Sequence, residues 1–302
     1  MRSLTLAAAA LLALSLSIPA LSQETEAQEP EGWNVASDIN LTLTQNAYSD
    51  NWTGGETGGL SWTLNSNTLA ERQLTPGLHL RNVLKLSFGQ THSQDEETKE
   101  WARPVKSTDQ VDLDSVLRFT RGWVVDPFLS GRVETHFLDV SDPEKSRALN
   151  PIVFTEGAGI ARVFIKEENR EWVTRLGGAF RQHMDRDALQ EGATERETVT
   201  TSDAGAEFVS EFRTPLADGA ITLTSDLTVY QALYYSESDE LEGLPNEDDW
   251  KSPDINWENT FAASITEHLV VNLYVQLLYD KEIDDDPRFK ETLSLGFTFR
   301  LL

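Results

Sequence analysis

Trp33-Asn34-Val35-Ala36-Ser37-Asp38-Ile39-Asn40-Leu41-Thr42-Leu43-Thr44 sorts its side chains by parity. Trp33, Val35, Ile39, Leu41 and Leu43 fall on one face; Asn34, Asp38, Asn40, Thr42 and Thr44 fall on the other. A strand has a side-chain period of two, so this segment separates an apolar medium from polar partners along its length. The same parity recurs at Leu60, Trp62 and Leu64, then at Leu78, Leu80, Leu84, Leu86 and Phe88. It continues at Val111, Leu113, Leu117 and Phe119, and at Leu129, Val133 and Phe137. A less regular run covers Phe154 to Ile165. Trp172, Leu176 and Phe180 follow, then Ala204, Ala206, Phe208 and Phe212, then Ile221, Leu223, Leu227 and Val229. Ile255, Trp257, Phe261 and Ile265 precede two long alternations, Leu269 to Tyr279 and Leu293 to Leu301. Twelve runs result.

The connectors set the topology. Short links lie near 73–77, 121–122, 167–170, 214–219 and 267–268, and longer ones near 45–58, 90–108, 139–150, 183–197, 232–252 and 280–288. Long and short alternate without exception, as in a transmembrane barrel with tight periplasmic turns and longer extracellular loops. The expected fold is therefore all-β, an antiparallel up-and-down transmembrane β-barrel of about twelve strands. An even strand number places both termini in the periplasm. Aromatic placement agrees. Trp33, Phe119, Trp123, Trp172, Phe212 and Phe299 fall near the periplasmic ends of outward faces, and Trp62, Phe88, Phe137, Phe180, Trp257 and Tyr279 near the outer ends. A soluble sandwich also alternates, but has no reason to sort aromatics to strand ends.

Residues 1–22 read as a signal peptide: Arg2, an apolar stretch from Leu4 to Ile18, and Ala20-Leu21-Ser22 before Gln23. Residues 23–31 read as a disordered acidic leader, and 32–302 as one barrel domain. No later window has the roughly 18 uncharged apolar residues of a spanning helix. The chain has no cysteine, which excludes disulfides, thiolate metal sites, cysteine nucleophiles and lipid attachment at an N-terminal cysteine. A net charge of −25 should repel nucleic acid and anionic membrane surfaces. Much of the excess lies in loops such as Glu237 to Asp249 and Asp280 to Asp286, a solvated acidic surface with no calcium-loop spacing.

Several segments resemble a family of uncharacterised outer-membrane barrels, a domain of unknown function found in gram-negative bacteria of the Bacteroidota type. They are Gln45 followed by Asn51-Trp52-Thr53-Gly54-Gly55, Lys106-Ser107-Thr108-Asp109-Gln110-Val111-Asp112-Leu113, Leu149-Asn150-Pro151, Trp257, Tyr279-Asp280 and Gly296. The resemblance implies a porin-like barrel in the outer membrane and no known activity. Asn51, Trp52, Gly54 and Gly55 form either a lip over the mouth or a structured turn that packs the first long loop. The closing alternation to Leu301 resembles the signal read by the barrel-assembly machinery, a partner during insertion, although Leu302 ends it without an aromatic.

Parity also gives the lumen. His79, Arg81 and Lys85, then Arg118, Arg132, Arg175 and Arg181, point inward from the earlier strands; Glu207, Glu211, Asp226, Asp254 and Glu258 do so from the later ones. Arg81, Lys85, Arg118, Arg132 and Arg175 make a basic arc, and Glu207, Glu211, Asp226 and Glu258 an acidic arc. Asp112, Asp114 and Glu134 interrupt the basic arc and have basic neighbours to pair with. Opposed charged walls suit a narrow channel for small polar solutes. The same side chains also suit a plugged structural or interaction barrel that presents its acidic loops, because twelve strands lie between filled and open barrels. An outer-membrane hydrolase is the third reading. It would need a nucleophile held by a base, and His79, His92, His136, His183 and His268 form no esterase elbow or metal pair. The expectation is no catalytic residue, no metal and no cofactor, with outer-membrane lipid and small polar solutes as contacts.

Overall fold

The computed structural model describes residues 32–48, 57–142, 145–186, 196–266 and 268–300. The signal, the leader and the Asn51–Gly55 motif lie outside the described residues. Strands run in the order β1 (Asn34–Asn46), β2 (Gly59–Thr75), β3 (Leu78–Ser93), β4 (Val105–Arg118), β5 (Asp126–Thr135), β6 (Leu138–Asp139) and β7 (Arg147–Ala148). They continue with β8 (Ile152–Lys166), β9 (Glu171–Arg186), β10 (Thr198–Leu216), β11 (Ile221–Tyr235), β12 (Pro253–Ser264), β13 (Leu269–Tyr279) and β14 (Arg288–Arg300). β6 and β7 form a small hairpin inside one long loop; the other twelve strands close a barrel.

Each barrel strand pairs antiparallel with its neighbours in sequence, so the sheet is up-and-down throughout. The seam joins β1 to β14, with Asp38 opposite Arg300 and Thr42 opposite Gly296. Closure leaves no strand edge, which is what a sheet in hydrocarbon needs when no water can satisfy its backbone. Turns are tight where the sequence predicts them. Pro76-Gly77 joins β2 to β3, and Gly122 adopts φ +71° in the β4–β5 turn, a left-handed conformation that favours glycine.

Several strands outrun their hydropathy signal. β2 spans 17 residues, β10 spans 19, and β3 and β9 span 16 each. Next to the long connectors, the ends of β3, β9 and β10 carry mostly polar residues on both faces, so the ladder continues where alternation stops. His92, expected in a loop, therefore lies in β3, and His183 lies in β9.

The barrel is inside-out relative to a soluble protein. Arg175 is 6% exposed while its neighbour Leu176 is 54% exposed. Leu129, Ile160, Leu293, Leu295 and Phe297 are likewise exposed on the outer face. Such an apolar exterior on a closed barrel fits lipid, and the chain forms a transmembrane β-barrel. Trp62, Phe88 and Phe137 touch in series near one rim, with ring centroids 6.0 and 6.2 Å apart. Phe164, Trp172 and Phe212 do so at the other end, at 4.6 and 6.1 Å. Polar atoms on the lipid side are paired across strands: Trp172 Nε1 donates to Ser210 Oγ at 3.2 Å and Trp257 Nε1 to Ser225 Oγ at 3.0 Å. The inner wall is small along β8 to β10. A Cβ at Gly205 would lie 2.1 Å from the Gln231 carbonyl oxygen, so only glycine permits this approach of β10 to β11.

Candidate functional site

The lumen is the candidate site, and strand parity builds it. Residues sharing parity with Arg175 on β9 face inward, and the register carries that face from strand to strand. Glu211 on β10 lies opposite Asp226 on β11, and Asp226 opposite Glu258 on β12, so the predicted acidic side chains stand side by side. Lys85 on β3 lies opposite Asp112 on β4, and Asp112 opposite Glu134 on β5.

Closure brings the two walls together. Lys85 Nζ lies 2.9 Å from Asp226 Oδ2. β3 and β11 are halfway round the barrel from one another, so this ion pair crosses the whole lumen. A second bridge runs beside it. The Arg81 guanidinium donates to Glu211 Oε2, Arg175 Nη2 lies 3.3 Å from Glu211 Oε1, and the same Nη2 lies 2.8 Å from Asp114 Oδ2. Two cations and two anions thus form a neutral chain from β3 to β10, β9 and β4. Arg132 sits between Asp112 at 4.0 Å and Glu134 at 3.9 Å. The interrupting acids therefore do pair with basic neighbours.

Not every predicted residue joins a bridge. Glu258 accepts a hydrogen bond from Asn256 at 3.0 Å. Glu207 and Arg118 make no ion pair among the described residues; Arg118 lines a small inner pocket with His79, which lies 3.7 Å from Glu71.

The bridges divide polar space. A cavity of about 230 Å³ surrounds them, lined by Arg81, Lys85, Asp112, Arg132, Glu211 and Asp226. A wider one of about 620 Å³ lies on the other side, lined by Glu134, His136, Arg181, His183, Glu258 and Lys290 among others. Water reaches the bridge unevenly: the Lys85 and Asp226 side chains are each 32% exposed, whereas Arg175 is 6% exposed. Charges held this way are stable as pairs, because removing one partner strands the other in a confined space.

Beside the wider cavity lies a second polar cluster, of which parity gave only Arg181 and Asp254. Arg181 Nε and Nη1 lie 2.8 Å from Asp203 and from Asp254, and its guanidinium stacks 3.7 Å from the Tyr230 ring centroid. Tyr230 donates to Asp203 at 2.5 Å, and His183 Nε2 lies 3.4 Å from the same carboxylate. His183 has an orienting acid but no hydroxyl hydrogen-bonded to it among the described residues, so the third member of a nucleophilic triad is missing there. Among the described residues no group of three His, Asp or Glu side chains is placed to hold a metal ion.

A clasp at the rim fixes the loop between β5 and β8. Asp109 accepts hydrogen bonds from the backbone N–H groups of Phe137 and Leu138 at 2.7 and 2.9 Å, and from Lys106 at 3.0 Å. Asn150, 1% exposed, donates to Asp139 at 2.8 Å and to Asp185 at 2.6 Å, and accepts from the Arg186 N–H at 2.9 Å. Arg147 adds an ion pair to Asp139 at 2.5 Å. Burial works to raise the Asp139 carboxyl, but the Ser141 N–H, Asn150 and Arg147 outweigh it and hold it at about 2. Lys106, Asp109 and Asn150 all stood in the segments quoted for their resemblance. Their density of short polar residues was the available signal, and the clasp is what they build.

Residues 43–139 match a family model described as "Protein of unknown function (DUF3078)". No curated protein matches the chain in sequence. Among solved structures, the chain is similar to an outer membrane channel from Pseudomonas putida F1, with 16% identity over 92% of this chain and 100% of that one and a TM-score of 0.40. It is also similar to the translocator domain of the autotransporter NalP from Neisseria meningitidis (9% identity, 91% and 90% covered, TM-score 0.38). The NanC porin is a third (10% identity, 88% and 100% covered, TM-score 0.35).

Proposed function

We propose that the barrel is a narrow outer-membrane channel for small polar solutes, with the cross-lumen ion bridges as its constriction. One observation carries this reading: what divides the lumen is a layer of side chains with polar cavities around and above it, and Lys85 and Asp226 in that layer remain a third exposed. Side chains exchange rotamers on the nanosecond scale when water reaches them, so such a layer admits passage that a backbone plug refuses. On this reading residues 1–22 direct export, the barrel-assembly machinery inserts the chain, both termini face the periplasm and the long loops face outward.

A plugged barrel serving as an anchor is the second reading. The near-complete burial of Arg175 between Asp114 and Glu211 favours it. Planar-bilayer recording separates the two. The channel reading expects small, stepwise conductance that grows when Arg81 and Glu211 are both replaced by alanine. Silence from folded wild-type barrel and folded variant alike would favour the plug.

A further inference from the structure

The two bridges share one polarity. Lys85 and Arg81 stand four residues apart on the inward face of β3, and both reach acids on the opposite wall, Asp226 on β11 and Glu211 on β10. Those acids are register partners, side by side. A solute passing the middle cavity must part these pairs, and its own charges decide what is left behind. A small anion takes over Lys85 and strands Asp226; a small cation does the reverse. A neutral solute strands both. An unpaired charge in this confined space loses its partner without regaining full hydration. A solute with one ammonium and one carboxylate replaces each half as it enters, and because both bridges point the same way it keeps one orientation, carboxylate toward β3 and ammonium toward β10 and β11.

We propose that this barrel selects small zwitterions of amino-acid type over singly charged or neutral solutes of the same size. The inference rests on the channel reading and names its substrate class. The cavity of about 230 Å³ around the bridges accommodates such solutes.

The test uses the purified full chain in liposomes, with osmotic swelling read in alanine, lactate and lactamide, and KCl conductance recorded in parallel. Alanine should enter faster than lactate or lactamide by about tenfold, the factor that about 1.4 kcal/mol gives. Asp226→Asn removes the carboxylate that Lys85 bridges to across the lumen and should invert the order, with lactate faster than alanine. Lys85→Arg keeps the polarity and should keep the preference for alanine. Equal rates for the three solutes through barrels that conduct KCl would overturn the inference and leave the channel reading standing, as would an alanine preference unchanged in Asp226→Asn. Absence of both swelling and conductance defeats the channel reading and the selectivity with it.

Discussion

Replacing Asn150 with alanine should open the rim clasp without unfolding the barrel. The Asn150 amide is 1% exposed and makes three hydrogen bonds, two donated to the carboxylates of Asp139 and Asp185 and one accepted from the Arg186 N–H. Bonds to charged groups are worth about 1.5–3 kcal/mol each and a neutral one about 1 kcal/mol. One residue positions all three, so they do not add in full, and about 3 kcal/mol is a conservative loss. That raises the opening equilibrium of the clasp about a hundredfold. Amide hydrogen exchange of the folded barrel in micelles reads it directly. Arg186 and Leu138 N–H should exchange about a hundredfold faster, while the N–H groups of β11 and β12 stay protected. Asn150→Asp, which turns both donors into a third carboxylate facing two others, should be worse than alanine. If exchange at Arg186 rises by less than about threefold, a change of under about 0.7 kcal/mol, Asn150 is not what holds the loop.

Three further outcomes are expected. In Glu211→Gln, Arg81 and Arg175 lose the carboxylate they share, so the reversal potential in a KCl gradient should move toward chloride; an unmoved potential would mean Glu211 lies off the ion path. The Asp139 carboxyl is depressed in the folded clasp, so its contribution is fully present above the ordinary carboxylate value of 3.8 and is lost as pH falls toward about 2. Exchange at Leu138 should therefore be unchanged between pH 7 and pH 4, after correction for intrinsic rates, and loosen below that; loosening near pH 6 contradicts the assignment. Gly205→Ala places a methyl 2.1 Å from a backbone carbonyl oxygen and should destabilise the barrel by about 1–3 kcal/mol of strain. Urea unfolding in micelles measures this, against Gly131→Ala, whose Cβ would meet nothing within 4 Å, as the control.

Sequence alone made the barrel legible because a side chain at every second position has only two places to go. Parity put Arg81, Lys85, Arg175, Glu211 and Asp226 on the inner face, and the long and short connectors set strand direction. Partners were a different matter. Lys85 and Asp226 are 141 residues apart, and their meeting depends on how many strands close the ring and with what stagger. Parity assigns a face and carries no angle around the ring. His183 and Asp203 escaped for another reason: they lie toward the polar ends of β9 and β10, where the ladder continues after the alternation of apolar and polar residues has stopped. The irregular run from Phe154 to Ile165 hides Phe164, which stacks on Trp172, because a register shift between Val163 and Ile165 breaks the period there.

The β1–β14 seam has a consequence in time. Every other barrel pairing joins strands that are consecutive along the chain or separated only by the β6–β7 hairpin, whereas the seam joins residues such as Asn40 and Thr298, 258 positions apart, through five register pairs among the described residues. β1 leaves the ribosome first and waits for β14 with one edge unsatisfied. Until then it is an open template, and its Asn40, Leu41 and Thr42 are free to take any extended peptide of matching parity. A synthetic strand copying Leu293 to Arg300 is thus a direct competitor for that edge, effective during biogenesis and powerless once the ring has shut.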